Sequence, residues 1–223
     1  MGGLQATLIV SILLFVGFCS KGLGHDADPT HPLPNPRTTE TPTPVDRQGT
    51  PKVVPGVGID QVVLGDGPDV ALKRLGKPVE DYSRTVPLNP YIHWLAPSGS
   101  IDRDIKVYLR NDKIYQIEVG GPGYSTINGI RYLMPLNELK GKLDSSFETY
   151  LLTGSADLLQ TGKDTVYIVS RSRGLAFEIQ YFKNDEAFRV QKIIVFERSG
   201  KLVPNGYMPE WQELKKINID KVK

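Results

Sequence analysis

The stretch IKVYLRNDKIYQIEV, residues 105–119, carries the strongest fold signal in the chain. Apolar and polar side chains alternate on both sides of Asn111 and Asp112, two residue types that are typical of tight turns. Alternation with a period of two indicates a strand with one buried face. The stretch therefore predicts a β-hairpin with an apolar and a polar face, and the alternation places Tyr115 on the apolar one.

Further strands and two short helices are predicted around this hairpin. The apolar pattern indicates strands at residues 92–95, 148–152, 165–169, 175–181 and 190–196, and LAFEIQY at 175–181 alternates so regularly that it predicts a half-buried strand. Apolar pairs at helical spacing, Ala71 with Leu75 and Leu139 with Leu143, predict helices at 67–76 and 135–144, one before each group of strands. The order predicts an α+β fold: two tandem repeats of a short helix followed by an antiparallel β-meander, with the helices on one face of the sheet. Repeat one spans about residues 56–123 and repeat two about 124–198.

Two motifs resemble a known group of repeat proteins. Their units begin with G-[IV]-x-x-[IV]-x-[LI]-G and a helix ending in [LF]-G-x-P, and a loop with Tyr, Thr and Gly leads to the next unit. The matching positions are Gly58, Ile59, Val62, Leu64, Gly65, Leu75, Gly76 and Pro78, then Tyr124, Thr126, Gly129 and Ile130. The chain thus resembles the β-lactamase-inhibitor-protein fold and the SmpA/OmlA outer-membrane assembly lipoproteins. The resemblance implies a non-enzymatic, extracytoplasmic protein that binds other macromolecules.

The first 55 residues predict export and a tether. Residues 8–18 (LIVSILLFVGF) form an apolar core too short for an ordinary spanning helix, so residues 1–24 are predicted to be a signal peptide cut before His25, an uncut anchor being the alternative. Cys19 follows that core and is a candidate lipidation site. Residues 25–55 are rich in proline and poor in apolar side chains, which predicts a disordered linker. The protein is therefore expected to be secreted, periplasmic or membrane-tethered.

Composition narrows the function classes. The 223 residues carry a formal net charge of +2, with acids and bases interspersed, so no nucleic-acid footprint is present. Cys19 is the only cysteine, and cleavage before His25 would leave the mature chain without thiolate chemistry. No metal-ligand spacing or cofactor motif occurs, and we expect neither cofactor nor metal.

Candidate binding residues combine tyrosine with arginine, the composition of interface anchors. They lie on predicted polar strand faces and in the turns that follow, and they are Tyr108, Arg110, Tyr167, Arg171 and Arg173. The tail, residues 199–223, is predicted to dock on the domain as a short helix or to seek a partner.

These patterns favour a non-catalytic binding or scaffold protein of the cell envelope or extracellular space. Its partner is expected to be another protein, recognised through the sheet and loops. The alternative is a small extracytoplasmic hydrolase that uses His93 with nearby acids. That alternative requires His93 to lie in a pocket with a carboxylate and a serine.

Overall fold

The computed structural model describes residues 52–59, 61–85, 88–95, 104–153, 165–184, 186–208 and 212–222. They belong to a compact unit that spans Asp46–Lys223. The predicted signal peptide, Cys19 and most of the predicted linker lie outside the described residues. The end of that linker is not a tether, because Lys52–Val54 forms a strand and Val53 is buried.

Thirteen strands and two helices form the described fold. In chain order the strands are β1 (Lys52–Val54), β2 (Gly58–Ile59), β3 (Val62–Val63), β4 (Glu80–Asp81), β5 (Tyr91–Leu95), β6 (Asp104–Arg110), β7 (Lys113–Gly120), β8 (Ser125–Thr126), β9 (Glu148–Thr153), β10 (Val166–Ser170), β11 (Leu175–Phe182), β12 (Ala187–Phe196) and β13 (Glu213–Ile217). The helices are α1 (Pro68–Leu75) and α2 (Leu136–Lys140), and short 3-10 turns occupy Pro204–Gly206 and Ile219–Lys221.

A nine-stranded antiparallel sheet with the order β13-β9-β10-β11-β12-β7-β6-β5-β4 dominates the domain. It contains two meanders, β4–β7 and β9–β12, which meet where β7 pairs with β12. A smaller sheet has the order β3-β2-β1-β8. The predicted α+β class is confirmed, with sheet predominating over helix.

One face of the large sheet forms the main core. Strand residues such as Val107, Ile117 and Phe177 pack there in one cluster with Ala71 of α1 and Leu139 of α2. Both helices are too short to be stable alone, so this burial of their apolar sides holds them in place.

The opposite face, called the second face below, is partly covered by the tail. Leu202 is buried against Tyr150, Val169 and Phe196, and further along the tail β13 pairs with β9. The prediction of a helical tail is wrong, because the tail ends in a strand and a 3-10 turn. A strand satisfies the backbone donors and acceptors at the open edge of β9, which a helix would leave unpaired.

Candidate functional site

A row of polar side chains crosses the second face of the large sheet. Within each half of the sheet the pairing register places each member opposite the next: Glu80, His93, Lys106 and Glu118 across β4–β7, and Lys192, Glu178, Tyr167, Tyr150 and Lys216 from β12 to β13. Where the halves meet, Glu118 is opposite Ile194, and Lys192 lies two residues from Ile194 on the same face. Paired residues in an antiparallel sheet lie on the same face. We call this set the polar row.

A buried cluster of charges lies at the centre of the polar row. The Lys192 Nζ atom lies 3.2 Å from a carboxylate oxygen of Glu118 and 3.4 Å from one of Glu178. The glutamate side chains are only 2% and 3% exposed. Burial raises the pKa of Glu118, although the positive charge of Lys192 opposes that shift. Burial alone would lower the pKa of Lys192, but both glutamates outweigh that effect and raise it.

Neutral donors complete the coordination of both carboxylates. The Tyr108 hydroxyl donates to Glu118 at 3.2 Å, and the Gln116 amide donates to its other oxygen at 3.0 Å. Glu178 has an equivalent pair of donors, the Tyr167 hydroxyl at 3.0 Å and the Gln180 amide at 2.9 Å. Every carboxylate oxygen of the cluster therefore has a partner, as buried charges require.

Tyr108 and Tyr167 were predicted to be anchors on the protein surface, and this prediction is wrong because both side chains are buried. They are 2% and 0% exposed, and burial raises the pKa of both hydroxyls. The polar face was assigned correctly, but the tail covers it: Gly206 lies against the Tyr108 ring, and Tyr167 packs in the apolar cluster that includes Leu202. Both tyrosines support the buried charges instead of facing a partner.

The three predicted arginines each stack on an aromatic ring. The guanidinium of Arg110 lies 4.3 Å from the ring centre of Tyr115, and that of Arg171 lies 5.7 Å from Tyr150. Arg173 lies 5.7 Å from Phe147 and forms an ion pair with Asp144. The structure therefore separates the predicted set, with Arg110 near β6–β7 and the other two near the β10–β11 turn.

His93 lies between two carboxylates near the edge of the sheet. Its Nε2 is 2.7 Å from Asp104 Oδ1, and its Nδ1 is 3.3 Å from Glu80 Oε2. Burial tends to raise the pKa of Asp104, but the hydrogen bond and charge of His93 outweigh it and lower that pKa. A small cavity of about 60 Å³ adjoins the pair, and its described lining consists of His93, Asp104, Lys106, Glu118, Gly120 and Lys192. That described lining contains no serine.

An aromatic surface adjoins the outer part of the polar row. Tyr82 is 38% exposed, and its ring centre lies 5.0 Å from that of Tyr91. The Lys106 Nζ lies over the Tyr91 ring at 4.7 Å. We define the tyrosine patch as Tyr82, Tyr91, Lys106, Tyr115 and Arg110. Sequence reasoning missed Tyr82 and Tyr91, although Tyr91 alternates with the buried Ile92 in a recognisable strand.

A groove forms where the tail meets β9, β10 and β13 on the second face. Its volume is about 240 Å³. Its described lining combines apolar and charged side chains: Tyr150, Val169, Arg171, Lys201, Leu202, Met208, Glu213 and Leu214. Arg171, one of the predicted binding residues, therefore faces a concave surface.

Two classes of site are absent from the described residues. None of the helices they form is long and apolar enough to cross a membrane. Within the same ranges, no three His, Cys, Asp or Glu side chains are placed to hold a metal ion. No protein-family model matches the chain, and no curated protein or solved structure matches it either.

Proposed function

We propose that this chain is an exported, non-catalytic binding or scaffold protein that recognises another protein through the tyrosine patch. The observation that carries the proposal is the contact of the exposed Tyr82 with the half-buried Tyr91, whose ring lies under the ammonium group of Lys106. Tyrosine offers a large contact area at low conformational cost, and tyrosine and arginine are enriched at protein interfaces. The stacked cations hold the patch in shape before a partner arrives, which reduces the entropy lost on binding.

The surroundings of the patch support this choice of surface. The helices cover the opposite face of the sheet, and the contacts of residues 201–208 with the second face extend from Val169 of β10 to Tyr108 of β6. Beyond these contacts, Tyr82 and Arg110 are exposed. A partner that approaches the second face therefore meets the tyrosine patch first.

The alternative function, a hydrolase that uses His93, has one observation in its favour: carboxylates flank the imidazole. A histidine base needs one ring nitrogen for its orienting carboxylate and the other for the nucleophile. Here Asp104 and Glu80 occupy both nitrogens, and the described lining of the adjacent cavity offers no hydroxyl nucleophile. The geometry favours the binding function.

We also propose that the two halves of the domain are tandem repeats of one unit, as the family resemblance implies. Each meander follows a short helix, α1 before β4–β7 and α2 before β9–β12, which is the order that the repeat requires. The final strands of the two meanders, β7 and β12, pair with each other. Each meander therefore ends at the centre of the large sheet. These features support descent from one repeated unit like those of the β-lactamase-inhibitor-protein and SmpA/OmlA groups.

The cell envelope or extracellular space is the proposed location. The apolar leader supports export, and the proline-rich segment that follows it would space the domain from a membrane if Cys19 carries lipid or the leader stays uncut. About 3.1 Å per residue in an extended proline-rich form gives a reach of several tens of ångströms. Such a reach suits a domain that must meet partners away from its anchor.

The proposed function is tested by capturing the full-length chain from its native cells. The double variant Tyr82→Ser with Lys106→Glu removes the centre of the patch, and Ile127→Ser is a matched control, because Ile127 is 81% exposed and outside the patch. We expect a stoichiometric partner with the unmodified chain and the control. We expect roughly 30-fold weaker binding to the double variant, the loss typical of interface anchors.

Circular dichroism of each variant establishes that it is folded. The proposal is refuted if the unmodified chain captures no stoichiometric protein, or if the folded double variant retains the partner as well as the control does.

A further inference from the structure

We propose that the groove between the tail and β9, β10 and β13 binds a small amphipathic carboxylate, with its apolar body in the groove and its anionic head at Arg171 and Lys201. This site is distinct from the tyrosine patch and does not depend on the proposed protein partner. The inference rests on three features of the groove: its apolar wall, its two cations and its size.

The wall of the groove suits a hydrocarbon or aromatic body. Val169 and Leu202 are 2% exposed and form a fixed floor, while Leu214 and Met208 are partly buried at its sides. The unbranched thioether of methionine adapts to ligands of different shape. An apolar body placed here displaces water from surface that the described residues leave uncovered.

The charges of the groove select an anion. Arg171 and Lys201 contribute two positive charges and Glu213 one negative charge, so the lining has a net charge of +1 at neutral pH. Neither cation forms a direct ion pair with a described residue; Arg171 is steadied by the Tyr150 ring and by the negative charge of nearby Glu148. A guanidinium that is held against an aromatic ring keeps its fork of donors available for a carboxylate.

The size of the groove limits the ligand. Its volume of about 240 Å³ is below the range of about 300–1,000 Å³ that drug-sized ligands occupy. At about 30 Å³ for each water-sized unit, it accommodates roughly eight such units. Octanoate, a short apolar chain ending in a carboxylate, matches this size, and octanol is its uncharged counterpart.

The test measures octanoate and octanol binding to the full chain by NMR, following the Met208 methyl signal. We expect saturable binding of octanoate, about tenfold tighter than octanol, because the cations contact only the charged head. Arg171→Gln should weaken octanoate about tenfold and leave octanol unchanged. The exposed Arg84 lies outside the groove lining, and Arg84→Gln should change neither affinity.

Four outcomes overturn the proposal. Three are no saturable shift of the Met208 signal, equal affinities for octanoate and octanol, and equal effects of the two arginine variants. The fourth concerns Trp211, which lies outside the described residues between Met208 and Glu213 in sequence. If octanoate binds only to a Trp211→Ala variant, the chain fills its own groove and the proposal fails. Binding to the unmodified chain with the expected charge dependence supports it.

Discussion

Replacing Lys192 with methionine removes the positive charge between two buried carboxylates and keeps a side chain of similar length. Lys192 Nζ lies 3.2 Å from Glu118 and 3.4 Å from Glu178, so the variant leaves two nearly inaccessible negative charges without a counter-ion. Removing one partner of a buried ion pair costs about 3–5 kcal/mol. The Lys192 side chain is 25% exposed, so water screens part of the effect, and we expect a loss near the lower end, about 3 kcal/mol.

Urea denaturation at pH 7 measures this loss, with Lys216→Met as the control. Lys216 belongs to the same polar row and pairs with Glu148 at 2.6 Å, but its side chain is 64% exposed. Exposed ion pairs contribute little to stability, so the control should unfold nearly as the unmodified chain does. A loss for Lys192→Met no larger than that of the control would refute the account of the buried cluster.

The pH dependence of the Lys192→Met deficit follows from the carboxylates. Burial raises the pKa of Glu118 in the folded protein, so the folded state holds that proton more tightly than the unfolded state. Burying the ionised form of Glu118 therefore destabilises the folded protein at a pH above the folded-state pKa of this residue. That destabilisation disappears as the pH falls through this pKa and Glu118 becomes protonated. Without Lys192 this pKa rises further, and the deficit should shrink between pH 7 and pH 5. An unchanged deficit over this range would contradict that explanation.

Two further predictions concern the tail and the leader. In Gly206→Ala the new Cβ overlaps the Tyr108 ring at a φ of +68°, so strain and overpacking should cost about 2–4 kcal/mol in urea denaturation. Gly65→Ala is the matched control, because Gly65 has a φ of +86° but a Cβ added there meets open space. If Gly206→Ala loses no more unfolding free energy than this control, the contact between the tail and Tyr108 is contradicted. The intact mass and N-terminal residue of the mature protein test the leader: an acylated Cys19 start establishes a membrane-tethered protein, whereas a free His25 start excludes lipidation.

Seven of the thirteen strands, β5–β7 and β9–β12, were predictable because their signal is local, whereas the short β1–β4 and β8 and the tail strand β13 were not predicted. Alternation of side chains along one strand depends only on neighbouring residues, and each predicted strand lies within one or two residues of an observed strand or inside it. The position of His93 opposite the buried Ile92 and Trp94 also follows from this alternation. A local pattern therefore revealed which side chains face the polar side of the sheet.

The burial of that polar side was not predictable, because distant residues cause it. Residues 175–181 were expected to be half-buried, but both Ala176 and Glu178 are buried, since the tail and the polar row cover the second face. Tyr115 was expected on the core face, yet its hydroxyl donates to the Gly206 carbonyl on the second face. An irregularity in the β6–β7 pairing shifts the register there, and alternation alone does not reveal such a bulge.

The buried charges also determine how the tail lies on the sheet. The Gln116 side chain donates to the Val203 carbonyl at 2.7 Å and accepts from its amide at 3.2 Å, while Lys192 donates to Asn205 at 3.0 Å. A slip of the tail by one residue would break these bonds and place apolar side chains over the charges. One register is therefore strongly preferred, and the tail remains a fixed part of the domain. Tyr115 of the tyrosine patch takes part in this contact, so a partner on the second face must use the exposed members of the patch, Tyr82 and Arg110.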